Sequence, residues 1–331
     1  MRLQELFPGL TRGGSVLVLG ELLLDFVPGD DSVGLADPGS VLKTVSGSAG
    51  IYACALAGFG VPCKMLCKLG TDPFSKLAKQ ELAKAGVGTE YIVRSDSRAK
   101  LGIAFLEYTP TGRNYVYYRD GSVGSSFMPE EIPEAAFPDA MMLHLPGMLL
   151  DLNDNMRQSC FRAVELAKKH NVLVSFDPNI RKELRGDPAA RERMMQMVSL
   201  ADVIEPTLDE AKLLTGCAEI PDILHALHAA GPRLVVLTWD KQGAIFSCAE
   251  QRFRIRGIDI PVTEPTGAGD TFAAAMAYGI HENLKLEDAA RFSNCAATLV
   301  CVKRGAIGMA LPNLRETEEF LRRASCVLEP F

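Results

Sequence analysis

The sequence predicts an α/β protein: a doubly wound, mostly parallel sheet flanked by helices, with a small β-sheet beside it. Two observations carry that prediction. Apolar runs recur at residues 16–19, 141–145, 172–176, 203–204 and 234–238. Strands covered on both faces read in this way, as near-continuous hydrophobic runs. Helical patterns lie between them, most clearly at 49–59, 75–85, 153–170, 189–200 and 208–215. Strands that alternate with helices pair in parallel through right-handed crossovers, which puts helices on both faces. Ligands then bind beyond the carboxyl ends of the strands.

Residues 30–46 and 100–122 break this rhythm and read as short strands with turns. The alternating segments 102–108 and 113–118 flank Thr109-Pro110-Thr111-Gly112, a hairpin pattern. These pieces are too short to fold alone, so they are expected to form a β-sheet lid over a pocket, where a lid excludes water. No linker or internal repeat interrupts the rest. Residues 1–331 therefore read as one domain carrying the two lid segments.

Composition narrows the function. The 331 residues are 47% hydrophobic and 23% charged, the profile of a globular enzyme. A net charge of −6, with no basic run longer than Lys303-Arg304, argues against a nucleic-acid surface. No segment approaches the roughly 18 apolar residues of a membrane span, and the start of the chain lacks the pattern of a signal peptide. A cytoplasmic protein is expected. The nine cysteines are scattered through apolar runs, which suits buried, reduced thiols. Cys63 and Cys67 lack a second pair or a nearby His to complete a metal set, and His225 and His228 read as ordinary helix-face residues.

The most telling run is Glu264-Pro265-Thr266-Gly267-Ala268-Gly269-Asp270-Thr271-Phe272. A β-like segment at 258–262 precedes it and a small-residue helix at about 271–279 follows. Small residues at a helix start leave backbone N–H groups open to an anion, and the helix dipole adds positive potential there. Asp270 would stand beside that hole, placed to take a proton from an attacking hydroxyl. The combination suits phosphoryl transfer, which needs positioning and charge neutralisation above all. The same run also suits a plain helix entry, and on this motif alone the two readings stand level. It is neither a Walker loop nor Gly-x-Gly-x-x-Gly.

Four segments taken together resolve the matter. Gly20-Glu21-Leu22-Leu23-Leu24-Asp25, Ser46-Gly47-Ser48-Ala49-Gly50 with Ala53 to Gly60, Asp177-Pro178-Asn179-Ile180-Arg181, and Thr266 to Asp270 stand in the order of one family. The chain resembles the ribokinase-like (PfkB) sugar kinases over nearly all its length. The resemblance implies transfer of the ATP γ-phosphate to a hydroxymethyl group, with Mg²⁺, and K⁺ activation by family analogy. It implies that Asp270 is the general base and that the N–H groups of Gly267, Ala268 and Gly269 hold the developing charge. Asp25, at the end of strand one, would bind substrate hydroxyls, and Gly47 would let the backbone approach the sugar. Asn179 and Arg181 would face the same substrate. Thr238, Asp240, Gly243 and Thr266 would lie along the nucleotide, with Asn294 and Gly305 at the adenine. Glu210 would orient a hydrated Mg²⁺, and Glu264 would mark the monovalent-cation site.

The stretch Tyr117-Tyr118-Arg119-Asp120-Gly121-Ser122 resembles the Tyr-x-Arg-x-x-Ser of fructokinases and 2-keto-3-deoxygluconate kinases. Tyr117, Arg119 and Arg181 would then suit a ketose or an anionic keto-sugar acid. Arg119 spent on a neighbouring carboxylate is the plainer alternative. Departures from the family pattern fall at Ser46, Ile51 (where the family carries a sugar-binding Asn), Thr207, Asp240 and Glu264-Pro265. A nucleoside kinase or a non-catalytic sugar- or nucleotide-binding regulator are the competing readings. Exposed edges of the lid would suit a homodimer.

Overall fold

The computed structural model describes residues 1–11, 13–29, 34–109, 112–180 and 187–331, with backbone alone at 112 and 113. The strands are β1 (Ser15–Leu19), β2 (Leu23–Pro28), β3 (Val41–Ser46), β4 (Cys63–Leu69), β5 (Ile92–Arg94), β6 (Gly102–Thr109) and β7 (Gly112–Tyr118). They continue with β8 (Ala140–Pro146), β9 (Leu173–Asp177), β10 (Val203–Ile204), β11 (Leu234–Thr238), β12 (Ala244–Ser247), β13 (Arg252–Ile255) and β14 (Leu328–Pro330). The α-helices are α1 (Ser48–Gly58), α2 (Pro73–Lys84), α3 (Asp154–Lys169), α4 (Pro188–Leu200), α5 (Leu208–Thr215), α6 (Ile220–Ala230), α7 (Ala268–His281), α8 (Leu286–Cys301) and α9 (Leu314–Leu321).

Among the described residues the main sheet has ten strands in the order β14-β13-β12-β11-β10-β9-β8-β1-β4-β5. Pairing is parallel from β5 through to β11 and antiparallel across the last three pairs. Side chains alternate across each strand, so β1 sends Val16 and Val18 into one core and Leu17 and Leu19 into the other. The first core is closed by α1, α2, α7 and α8, and the second by α3, α4, α5 and α6. Two-sided burial explains why these strands were legible as apolar runs.

The chain runs from β1 outward through β4 to β5, then returns to β8 on the other side of β1. The sheet thus reverses its winding between β1 and β8, which opens a crevice at their carboxyl ends. Glu21 and Ser48 line that crevice, with Pro146 and Met148 across from them.

The small sheet has four strands in the order β3-β2-β6-β7. Strand β2 pairs antiparallel with β3 and parallel with β6, and β6 with β7 is the expected hairpin. Its turn residues Pro110 and Thr111, like residues 30–33 of the first expected segment, lie outside the described ones. Phe26 stacks on Phe105 at 5.0 Å and meets Phe74 of α2 edge-on at 6.3 Å, which anchors the small sheet on the main body.

Two expectations need correction. Asp25 does not end the first strand: β1 stops at Leu19 and Asp25 lies within β2 of the small sheet, opposite Thr44 and Ala104. The chain bends between the two strands because Gly20 packs against Ala49, where a Cβ would come within 2.3 Å of the alanine's own. The segment 258–262 is not a strand. Beyond β13 the chain leaves the sheet at Gly257, where a Cβ would stand 2.2 Å from the Lys241 carbonyl. It is next held by Thr263 and Glu264, whose N–H groups both donate to the Cys301 carbonyl at 2.7 and 3.1 Å.

Candidate active site

The run singled out in the sequence is a tight turn into α7. Gly267 caps the helix in the left-handed region at φ 83°. Its α-carbon approaches Ile51, so an added Cβ would stand 3.0 Å from the isoleucine Cγ2. Ile51 is only 2% exposed and forms a floor beneath the turn. The Ala268 N–H donates to the Pro265 carbonyl at 3.2 Å. A Cβ at Gly269 would meet nothing within 4 Å, so the space beside this first turn is open.

Asp270 faces back across α1. Its Oδ1 accepts a short hydrogen bond from the hydroxyl of Ser48, the first residue of α1. The Ser48 Oγ in turn accepts from Asn179 Nδ2 at 3.3 Å. Asn179 stands just past β9 with φ 41°, a conformation that Asn tolerates better than most residues. Its backbone N–H and Nδ2 donate to the two oxygens of Asp177 at 3.0 and 3.4 Å. A chain Asp270–Ser48–Asn179–Asp177 therefore spans the carboxyl ends of the central strands. Arg181 lies outside the described residues.

Glu210 is fixed from both sides. Its Oε1 accepts from the Ile180 N–H at 2.6 Å, and its Oε2 accepts from the Thr207 N–H and hydroxyl, each at 2.8 Å. Thr207 and Glu210 thereby cap α5 reciprocally. Burial, then the carboxylates of Glu210, Asp270 and Glu205, push Asp177 well above the usual carboxylate range. Burial pushes Glu205 up to about 7, opposed by the hydroxyl of Ser175, which donates to its Oε2 at 3.2 Å. Behind them His144 Nδ1 lies 2.8 Å from Ser175 Oγ, and its ring stacks on Tyr52 at 3.7 Å. Burial holds that imidazole neutral, down to about 3.

The small sheet closes the other side. Arg119, just past β7, donates through Nη1 to Glu21 Oε1 at 2.7 Å and lies over the Tyr117 ring at 4.8 Å. The hydroxyl of Tyr115 is 3.1 Å from Thr266 Oγ1, so β7 touches the start of the anion turn. Gly47 has φ 104°, and a Cβ there would stand 2.7 Å from the Glu21 carbonyl. Asp25 is buried on β2.

The expected nucleotide residues form a neighbouring group. The Thr238 N–H donates to the Pro206 carbonyl at 3.0 Å, which sets the end of β11 beside the cap of α5. Asp240 (φ 42°) begins a turn closed by the Gly243 N–H on the Asp240 carbonyl at 3.1 Å. Asn294 on α8 donates to the Arg256 carbonyl at 2.9 Å. The Gly305 N–H donates to Glu264 Oε2 at 3.1 Å, and Glu264 is 2% exposed. The turn from Glu264 to Asp270 thus joins the two groups.

Sequence reasoning passed over Ser48 as a contact of Asp270, along with Glu21, Tyr115 and Glu205. A hydroxyl at the start of α1 carries no local signal that it meets a residue 222 positions away. Two substitutions test the geometry. Ser48→Ala should lower kcat about tenfold, the cost of one hydrogen bond to a charged group, and steady-state kinetics measure it. An unchanged kcat would show that Asp270 needs no anchor. Gly243→Ala should cost about 1–3 kcal/mol of stability, because its Cβ would stand 1.9 Å from the Ile255 carbonyl at φ 96°. A melting temperature within a degree of wild type would contradict this.

A tight glycine turn with an acid at a helix start, set in the crevice of a doubly wound sheet with a second small sheet above it, defines a ribokinase-like carbohydrate kinase. The chain belongs to the pfkB family of carbohydrate kinases, whose model matches residues 14–314. It is a phosphotransferase with an alcohol group as acceptor. Fructokinase-2 of Oryza sativa subsp. japonica is 28% identical over 94% of this chain and 94% of its own length. A structure from E. coli of a protein assigned as ribokinase II, in complex with ATP and Mg²⁺, superposes with a TM-score of 0.88 at 25% identity, covering 94% of this chain and 99% of that one. The fructokinase of Vibrio cholerae O395, in its fructose-, ADP- and calcium-bound form, gives 0.80 at 25% identity, covering 93% and 99%. No described helix is long and apolar enough to cross a membrane.

Proposed function

We propose that this kinase transfers the γ-phosphoryl group of ATP to a primary hydroxyl of a ketose or a keto-sugar acid, with Asp270 as general base. The observation that carries the reading is the placement of Asp270, held by the Ser48 hydroxyl one residue from the open side of Gly269. The acceptor hydroxyl would approach over Ser48 and Gly47, and Asp270 would take its proton as the bond to phosphorus forms. The Gly267 and Gly269 N–H groups and the dipole of α7 would stabilise the phosphoryl oxygens. The Ala268 N–H would join them only if it left the Pro265 carbonyl.

ATP would lie along Thr238, Asp240, Gly243 and Thr266, with its base near Asn294 and Gly305. The E. coli neighbour was solved with ATP and Mg²⁺ and the Vibrio one with fructose, ADP and calcium, which supports ATP and a divalent cation as the cofactors. Mg²⁺ fits the donor set. Asp177 and Glu210 offer hard oxygens; burial, and after it the neighbouring carboxylates, raise Asp177, and a divalent cation would offset that crowded charge. When bound, it would neutralise charge on the phosphate oxygens. For K⁺, Glu264 is the residue the family analogy offers, and one of its oxygens already accepts from the Gly305 N–H.

The whole chain would act as one domain with the small sheet as its lid. The exposed Val41, Leu42 and Tyr118 of that sheet would suit a second copy of the chain as partner. Nine cysteines, none of them in a disulfide, would suit a reducing, cytoplasmic setting. The test is an ADP-release assay with ATP and Mg²⁺ over fructose, tagatose, ribose, 2-keto-3-deoxygluconate and several nucleosides. Turnover on a ketose or keto-sugar acid supports the reading. Preference for a nucleoside, or ATP binding without turnover on any acceptor, overturns it.

A further inference from the structure

Cys295 and Cys326 bring their sulfurs to 3.6 Å of each other, although 31 positions separate them in the chain. Cys295 lies on α8 and is buried. Cys326 stands between α9 and β14, half-buried, with exposed Ser325 and Val327 on either side. The backbone around both is moored to one residue. Asn294, beside Cys295, donates to the Arg256 carbonyl at 2.9 Å, and the Arg256 N–H donates to the Val327 carbonyl, beside Cys326, at 3.0 Å. Leu328 then pairs with Ile255 at the edge of the main sheet. A disulfide is about 2 Å long, so the two sulfurs have only the last part of the way to close. Cys326 sits in a stretch outside helix and strand, where a side chain has room to turn.

The two thiols are unlike. The hydrogen bond with Cys295 brings Cys326 down to about 7, against burial and with help from the charge of Arg291, one turn back on α8. The same bond, and then burial, push Cys295 up. The thiolate is the nucleophile and must be accessible, which selects Cys326 as the thiol that meets an oxidant. Its thiolate attacks one oxygen of hydrogen peroxide; the S–O bond forms, the O–O bond breaks, and a sulfenic acid and hydroxide result. The Cys295 sulfur then attacks the Cys326 sulfur. The S–S bond forms, the S–O bond breaks, and the hydroxyl leaves with the Cys295 proton as water. The hydroxide of the first step takes up the proton that Cys326 had released. Two thiols have lost two hydrogens, and one peroxide has become two waters.

We propose that Cys295 and Cys326 form a modification site: a peroxide-sensitive dithiol whose reversible disulfide fastens the C-terminal strand β14 to α8. Disulfides of this transient kind are the ones a reducing compartment permits. The site does not depend on which acceptor is phosphorylated.

The test treats the full chain with a small molar excess of hydrogen peroxide, alkylates the remaining thiols, and reads intact mass and peptide map before and after dithiothreitol. Wild type is expected to lose two hydrogens, to give one linked peptide joining residues 295 and 326, and to recover on reduction. C326S should lose none. C295S should stop at a sulfenic acid on Cys326 that dimedone captures. The linked form should melt several degrees above the reduced one, a difference absent in C326S. A bond to any other cysteine, a cross-link between two chains, or both thiols still reduced would overturn the proposal. So would Cys326 passing on to sulfinic acid beside a reduced Cys295. A linked form that melts no higher than the reduced one would overturn the fastening of β14. If C295S does not fold, the wild-type peptide map decides alone, because it names the linked residues.

Discussion

Asp270→Asn should lower kcat by about a hundredfold or more, the loss expected for a general base. The substitution is informative because it changes so little else. Asn keeps an oxygen that can accept from the Ser48 hydroxyl, so the anchor across α1 survives. The start of α7 keeps its glycines and its N–H groups. What the amide cannot do is take the proton of the acceptor hydroxyl. ATP affinity, measured by calorimetry, should therefore change by less than about threefold, and the loss should fall on kcat. A variant that turns over near the wild-type rate would remove Asp270 from the chemistry. A variant that loses ATP binding instead would make it a determinant of nucleotide binding.

The second large effect concerns stability. Glu205 is 6% exposed, its Oε2 accepts from Ser175, and its Oε1 has no hydrogen-bond partner among the described residues. Asp177 faces it from β9, Tyr52 from α1 and, through Ser175, the neutral His144 from β8. Burial raises its folded-state pKa from 4.5 to about 7. Below pH 4.5 the carboxyl is protonated in both states and the fold bears no penalty. Between there and about pH 7 the unfolded chain ionises while the fold keeps the proton, so stability falls as pH rises. The total is on the order of 3 kcal/mol above pH 7. Glu205→Gln does not titrate and can still accept from Ser175. Its melting temperature relative to wild type should thus rise by a few degrees between pH 5 and pH 8. The same difference at both pH values would show that Glu205 carries no such penalty.

The sequence disclosed most of the architecture because two-sided burial writes itself into composition. β1, β8, β9, β10 and β11 are mostly apolar and almost wholly buried, and α1 to α5 lie between apolar runs as helical patterns. β4 escaped notice because Lys64 and Lys68 interrupt its apolar residues, and their amines reach Glu90 and Glu131 from a strand whose other residues are buried. The segment at 258–262 has strand-like composition but cannot fold back on the strand before it, since β13 already pairs with β12 and β14. In the candidate site, residues inside a local motif were legible, as with Asp270 and Gly267. Residues defined by a distant partner were not. Arg119 was legible as a pocket residue, but its carboxylate lies 98 positions away, and Tyr115 meets Thr266 across 151.

The parallel pairing of β2 with β6 sets Leu23 beside Gly102, with β3, α1, β4, α2 and β5 between them in the chain. Bringing such distant segments together carries a large loop-closure entropy unless the intervening elements have already condensed. The core around β1, β4 and α1 should therefore assemble first and hold the two ends close, and the small sheet should zip up afterwards. The same ordering runs backwards in the native state. The part that joins last is the part that can detach at least cost, so amides of β6 should exchange with solvent through a local opening while those of β1 and β8 wait for global unfolding. A kinase that must admit and release a sugar would thus have its moving part specified by the order in which its chain connects.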